Sequence, residues 1–199
     1  MIAILNYGVG NLASVEKAFK KLGFPAEITD SAAKIRSADR VIFPGVGAFG
    51  SAIQNLEKTG LKSVLQKLVR QNVPILGICL GHQLLFTDSE EHGFYTGLNL
   101  IPGHVKRLPN TVRIPHIGWN QVKFTKASPL FYEIPDESYF YFADSYYSET
   151  DEVYQLATTA YGLTFTSVAQ NELIFGVQFH PEKSQDAGLQ LLENFVRKI

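Results

Sequence analysis

The stretch Val73-Pro74-Ile75-Leu76-Gly77-Ile78-Cys79-Leu80-Gly81-His82-Gln83-Leu84-Leu85-Phe86 constrains this chain more than any other. Pro74, Ile75, Leu76 and Ile78 read as a short buried strand, and Gln83, Leu84, Leu85 and Phe86 as a helix with one apolar face. Cys79 falls at the turn between them. A residue at so sharp a turn needs small neighbours two before and two after it, because side chains there would collide with the folded backbone. Gly77 and Gly81 supply both. The pattern is that of the G-x-S-x-G nucleophile elbow, with sulfur in place of oxygen. A thiol at a helix N-terminus faces unpaired N–H groups and the positive end of the helix dipole, which favour the attacking thiolate. Taken alone, Cys79 reads equally well as a small buried hydrophobe.

The far end of the chain weighs against that alternative. Gly176-Val177-Gln178-Phe179-His180-Pro181-Glu182-Lys183 ends an apolar strand in a histidine, with a glutamate two residues on. Extended residues at i and i+2 share a face, so His180 and Glu182 can adjoin, and Pro181 stiffens the link. In isolation a His-Pro-Glu run is a strand-ending turn with solvated polar residues. Beside the elbow, Cys79, His180 and Glu182 read as nucleophile, base and orienting carboxylate.

Gly-Ile-Cys-Leu-Gly-His-Gln together with His-Pro-Glu resembles the triad (class I) glutamine amidotransferases. Four further stretches resemble the histidine-biosynthesis branch of that family: Asn6 to Leu12, Pro44 to Gly50, Ile114 to Asn120, and His180 to Ser184. The similarity runs from the first strand to the last helix. It implies a flavodoxin-like α/β fold that hydrolyses L-glutamine to glutamate and ammonia, without metal or organic cofactor. It also implies a heterodimer with a (β/α)₈-barrel cyclase subunit that consumes the ammonia. Gln83, Asp144, Ser145 and Tyr146 are then expected to line the glutamine pocket, and Asn11, Trp119, Tyr141 and Lys183 to face the partner.

A chain of 199 residues fits one domain, expected here to span 1–199, with ample core. Its 19% charged residues and formal net charge of −1 argue against a polyanionic partner, whether nucleic acid or anionic membrane. One cysteine excludes an internal disulfide and gives no zinc-type cluster, which suits a reducing cytoplasm. The N-terminus shows no basic n-region of a secretory signal, and no apolar run approaches the roughly 18 residues that span a bilayer.

Along the chain, residues 2–5, 26–29 and 40–43 read as buried strands. A helix follows the first, with Leu12, Val15, Phe19 and Leu22 on one stripe, stopped at Gly23. The Gly-x-Gly of Gly8-Val9-Gly10 lacks the third glycine of a dinucleotide fingerprint. After the third strand, three glycines within Gly45-Val46-Gly47-Ala48-Phe49-Gly50 prescribe backbone freedom. That loop is placed to turn a main-chain N–H toward an oxyanion, with Leu80 supplying a second; a plain loop is the alternative. Leu61, Val64, Leu65 and Leu68 mark a helix before the elbow strand. This alternation predicts a mostly parallel sheet flanked by helices, and the Val-, Thr- and Tyr-rich residues 104–180 predict added antiparallel strands.

Ser89 to Gly93 reads as a polar loop. Tyr139 to Tyr147 carries aromatics at both parities, which cannot share one core, so some should line a site or an interface. His104 and His116 have no paired ligand spacing and read as surface or hydrogen-bonded core residues. The last helix carries Leu189, Leu192, Val196 and Ile199 on one stripe.

Two departures from the branch stand out. His82 occupies a position usually held by methionine, as in the anthranilate or carbamoyl phosphate amidotransferases, and Ala143-Asp144 replaces a usual Val-His pair. The competing readings are an amidotransferase for another synthase, a cysteine peptidase or deglycase-like protein on a related fold, and a noncatalytic binding subunit.

Overall fold

Every residue of the first strand, β1 (Ile2–Leu5), is buried, and its two parities enter different cores. Ile2 and Ile4 pack with one hydrophobic cluster, Ala3 and Leu5 with the other. A strand apolar on both faces belongs inside a sheet covered by helices on both sides. The computed structural model, which describes residues 1–199, has that form.

Its first half alternates strand and helix: α1 (Leu12–Lys21), β2 (Ala26–Thr29), α2 (Ala32–Arg36), β3 (Arg40–Gly45), α3 (Phe49–Lys58), α4 (Leu61–Arg70), β4 (Ile75–Cys79) and α5 (Leu80–Leu84). The second half is mostly strand: β5 (Asp88–Ser89), β6 (Tyr95–Thr96), β7 (His104–Arg107), β8 (His116–Phe124), β9 (Ser138–Asp144), β10 (Tyr146–Glu149), β11 (Gln155–Ala160), β12 (Thr164–Asn171) and β13 (Ile174–Val177), before α6 (Gln185–Arg197). β2, β1, β3, β4 and β13 lie side by side and parallel. β12 continues the sheet antiparallel to β13, and β11 leads from it to the antiparallel β8–β9 pair. The C-terminal ends of β3, β4 and β13 therefore open on one edge, where parallel α/β sheets place their ligands.

Several expectations needed correction. The elbow helix is only Leu80–Leu84, so Leu85 and Phe86 lie beyond it as buried residues. The α2 and α3 helices were missed; α3 buries Phe49, Ala52, Ile53 and Leu56, a helical i, i+3, i+4, i+7 pattern hidden because it starts inside the glycine-rich stretch. In α6 the buried line is Gly188, Leu191, Leu192 and Phe195. Leu189, Val196 and Ile199 only flank it, partly buried, while Phe195 meets Phe175 edge-on with ring centroids 6.1 Å apart.

The aromatic run separates by parity. Phe140, Phe142 and Asp144 point into the core, while Tyr139 is exposed and Tyr141 half-buried on the outer face.

Candidate active site

Cys79 closes β4 with φ 55° and ψ −110°, a left-handed twist that an L-residue adopts only when its surroundings enforce it. The enforcement comes from close backbone packing. A Cβ on Gly81 would lie 1.7 Å from the carbonyl oxygen of Phe43, and one on Gly77 would lie 2.8 Å from that of Gly81. The elbow thus presses directly onto β3, whose Gly45 is in register with Cys79.

Past the end of β13, His180 is 3% exposed, and its Nδ1 lies 2.8 Å from Oε1 of Glu182, whose side chain is buried. With Nδ1–H donated to the carboxylate, Nε2 is left for proton exchange with Cys79. The backbone of this loop is tied to β9. His180 N–H donates to Tyr141 O at 2.8 Å, Ser184 Oγ–H to His180 O at 2.6 Å, and Tyr141 N–H to Ser184 Oγ at 3.0 Å. Burial alone would push the imidazolium down, but the Cys79 sulfur and the Glu182 carboxylate outweigh it and raise His180 to about 10. Beside an anionic sulfur, His180 therefore holds the proton that a leaving amine needs.

A cavity of about 160 Å³ opens at Cys79. Val46, Gly47 and Leu80 line it, as do Gln83, Asp144, Ser145 and Tyr146. Gly45 borders a smaller adjoining space with Asn11, His180 and Glu182. Gly47 has φ 112°, which glycine alone tolerates easily, and Leu80 opens α5, so its N–H has no helical acceptor. Gln83 is oriented by donating Nε2–H to Tyr146 O at 3.0 Å and to Gln178 Oε1 at 3.1 Å. A larger open groove of about 470 Å³ between Phe124 and Asp136 carries neither a thiol nor a histidine, so the chemistry selects the small cavity.

Two residues at or behind the cavity escaped sequence reading. Glu91 lines the cavity from what reads as a polar loop, and no local signal marks it except that it follows Ser89, which is buried. Tyr7 is 1% exposed, and its hydroxyl touches the position a Gly45 Cβ would occupy. Burial and then the charge on Cys79 raise its phenol, which keeps it protonated.

The two departures receive different answers. His82 is fully buried behind the elbow, edge-on to Phe86 at 5.0 Å, with neither ring nitrogen hydrogen-bonded. Burial lowers it to about 3, so it is a neutral packing residue and no rival base. A Cβ on Gly176 would lie 2.3 Å from its Nδ1, which makes that glycine its counterpart.

Asp144 is buried opposite His116, and both carboxylate oxygens lack a hydrogen-bond partner. His116 Nδ1 is 3.6 Å from Oδ1. His116 itself is a core residue stacked between Phe142 at 4.8 Å and Tyr161 at 3.9 Å, whereas His104 is exposed and pairs with Asp88 at 2.7 Å. Burial raises the Asp144 carboxyl, partly offset by His116 and His180. Asp144→His replaces the carboxylate at the cavity wall by an imidazole facing His116. The expected outcome is a substrate KM changed by about fivefold or more in a folded chain. Unchanged steady-state parameters, with partner present, would remove Asp144 from the pocket.

On the outer face, Trp119 and Tyr141 are cross-strand neighbours with ring centroids 6.1 Å apart, and Lys183 Nζ lies 5.7 Å over the Tyr141 ring. Asn11 is exposed at the start of α1. Ile117 and Tyr139, 64% and 55% exposed, extend this apolar strip; their outward parity marks them, but sequence reading did not single them out.

The model of the family "Glutamine amidotransferase class-I" matches residues 3–199. This chain belongs to the class I glutamine amidotransferases. The amidotransferase is 51% identical over 195 residues to the imidazole glycerol phosphate synthase subunit HisH of Moorella thermoacetica, covering 98% of this chain and 93% of that one. Identity to the HisH subunit of Archaeoglobus fulgidus is 47% over 200 residues, covering 100% and 99%. Among solved structures, a glutamine amidotransferase superposes with a TM-score of 0.77 at 18% identity, over 98% of both chains. PurLQS from Thermotoga maritima gives 0.77 at 15%, over 99% and 97%. These two speak for the fold alone. No helix of the amidotransferase is long and apolar enough to cross a membrane.

Proposed function

We infer that the chain, as one unit over residues 1–199, is the glutaminase subunit of an imidazole glycerol phosphate synthase in histidine biosynthesis, working in the cytoplasm. The observation that carries the chemistry is the strained Cys79 at a small cavity, faced by the His180–Glu182 pair. A space of about 160 Å³ suits a small ligand such as one amino acid better than a peptide segment, which disfavours the peptidase alternative.

In the reaction, the Cys79 thiolate adds to the carboxamide carbon of glutamine, and the C=O electron pair moves onto oxygen. Backbone N–H groups of Leu80 and of the Gly45–Val46–Gly47 loop stabilise that oxyanion. His180 gives its proton to the departing nitrogen, and ammonia leaves as the C–N bond breaks. His180 then takes a proton from water, whose oxygen attacks the thioester and releases glutamate and thiolate. Gln83, Ser145 and Tyr146 hold the substrate, with Glu91 as the carboxylate accessible to its α-ammonium.

Neutral ammonia is the nucleophile the synthase needs, and in neutral water it is protonated and diffuses away. Release against a bound cyclase avoids both losses. The partner is taken to be a (β/α)₈-barrel cyclase that makes imidazole glycerol phosphate and AICAR, facing Asn11, Trp119, Tyr141 and Lys183. Glutaminase rates are expected to be low for the subunit alone, higher with cyclase, and highest with cyclase and its nucleotide ligand, by population of the loop conformer that points an N–H at the oxyanion. Lys183→Ala should weaken each increment. Full activity in the isolated subunit, without cyclase binding, would refute the assignment.

A further inference from the structure

Helix α3 begins directly after the oxyanion loop, and its N-cap residue, Ala48, has no side chain able to accept a hydrogen bond. The acceptor comes from a remote segment: Phe49 N–H donates to Glu91 Oε2 at 2.7 Å. A carboxylate at a helix N-terminus meets both the free N–H and the positive end of the dipole.

Glu91 is itself firmly placed. Its N–H donates to Oγ of the buried Ser89 at 3.2 Å, and the adjacent Glu90 is bound to the backbone of β7 through Arg107 N–H at 2.9 Å. The first turn of α3 also rests on β6, because the missing Cβ of Gly50 lets the Tyr95 ring come within 2.5 Å of that position.

The loop is thus gripped at both ends. Upstream, Gly45 pairs with Cys79 and packs on Tyr7; downstream, Phe49 is held by Glu91. Between them Val46 is 40% exposed, and nothing lies within 4 Å of where a Gly47 Cβ would stand. The open space at Gly47 leaves room for that span to turn.

The same Glu91 lines the cavity beside Cys79 and Gly47. The other carboxylate there, Asp144, has a fully buried side chain turned toward His116, so Glu91 is the anion open to a cationic ligand group. A carboxylate has acceptor capacity for both an ammonium and a peptide N–H. We propose that Glu91 couples occupancy of the cavity to the oxyanion loop: one carboxylate binds the substrate ammonium and anchors the first N–H of α3, so a bound amino acid fixes the downstream end of the loop that stabilises the oxyanion. Glu91 is in this respect a positioning residue acting through Phe49, and the coupling rests on the glutaminase reading.

The test is amide exchange over residues 44–52 in the full chain carrying Cys79→Ala, with L-glutamine as the probe, so that the probe is not consumed. Glutamine is expected to slow exchange at Phe49. Adding Glu91→Gln, whose amide oxygen still accepts from Phe49 N–H, should abolish that response. Adding Glu91→Ala should speed exchange at Phe49 without ligand by roughly fivefold or more, the signature of a lost helix cap. With native Cys79 and the cyclase present, Glu91→Gln should act mainly on KM, and Glu91→Ala should lower kcat as well. Exchange at Phe49 that ignores glutamine, or that ignores Glu91→Ala, would overturn the coupling. No glutamine hydrolysis by the unmodified complex would instead remove the reading beneath it.

Discussion

Cys79→Ala is expected to abolish glutamine hydrolysis, by roughly 10⁴-fold or more in kcat, while the chain keeps its fold. Alanine fits the elbow, since the strain at that position belongs to the backbone and the 7% exposure of Cys79 leaves only a narrow opening to fill. An electrophile shaped like glutamine should label Cys79 and nothing else. The substitution should also move His180. With sulfur present, Cys79 and Glu182 together overcome burial and raise the imidazolium to about 10. Without it, burial is opposed by Glu182 alone, so the imidazole resonance should titrate at lower pH. The same shift enters stability. A raised histidine contributes stability fully below its unfolded value of 6.5 and loses it as pH rises through about 10, so in Cys79→Ala, with the folded value lowered, that contribution should be smaller and its loss complete at lower pH. Undiminished glutaminase activity in the variant would place the nucleophile elsewhere.

What was legible in the sequence is what has a short period or a steric reason. The parity of β1 and of Tyr139 to Asp144 follows from alternation, and the elbow follows from two glycines that the packing in fact requires. His180 and Glu182 were readable because they lie two residues apart. Glu91 was not, because its partners are Phe49, 42 residues away, and a cavity assembled from four separate segments. The α3 helix was hidden for a related reason: its first turn is capped from a distance, so the usual Ser, Thr or Asp at the N-cap is missing and the glycines nearby read as loop. The buried line of α6 was displaced because a periodic pattern shows that a face exists, while its rotation depends on which residue, here Phe175, it meets.

Gly81→Ala is expected to be the most damaging single-methyl change in the chain. The added carbon would stand 1.7 Å from the Phe43 carbonyl oxygen and 2.8 Å from its carbon. Both are backbone atoms of a fully buried residue, so no side-chain rotation relieves the contact, and β3 must separate from the elbow. Overpacking of this kind costs on the order of 3 kcal/mol or more, which for a chain of this size lowers Tm by roughly 6–12 °C. Gly77→Ala should be milder, because its nearest contacts are at 2.8–2.9 Å. Gly23→Ala serves as the control. Gly23 has φ 77° and nothing within 4 Å, so only the left-handed penalty of about 1 kcal/mol applies. Thermal unfolding of the three variants should rank them Gly81, Gly77, Gly23 in order of loss. Glutaminase activity should follow the same order below the transition, since displacing β3 from β4 moves Gly45 and the oxyanion loop away from Cys79. A Gly81→Ala chain that melts with the wild type would mean that β3 and the elbow are not in direct contact, and the oxyanion geometry inferred from that contact would fall with it.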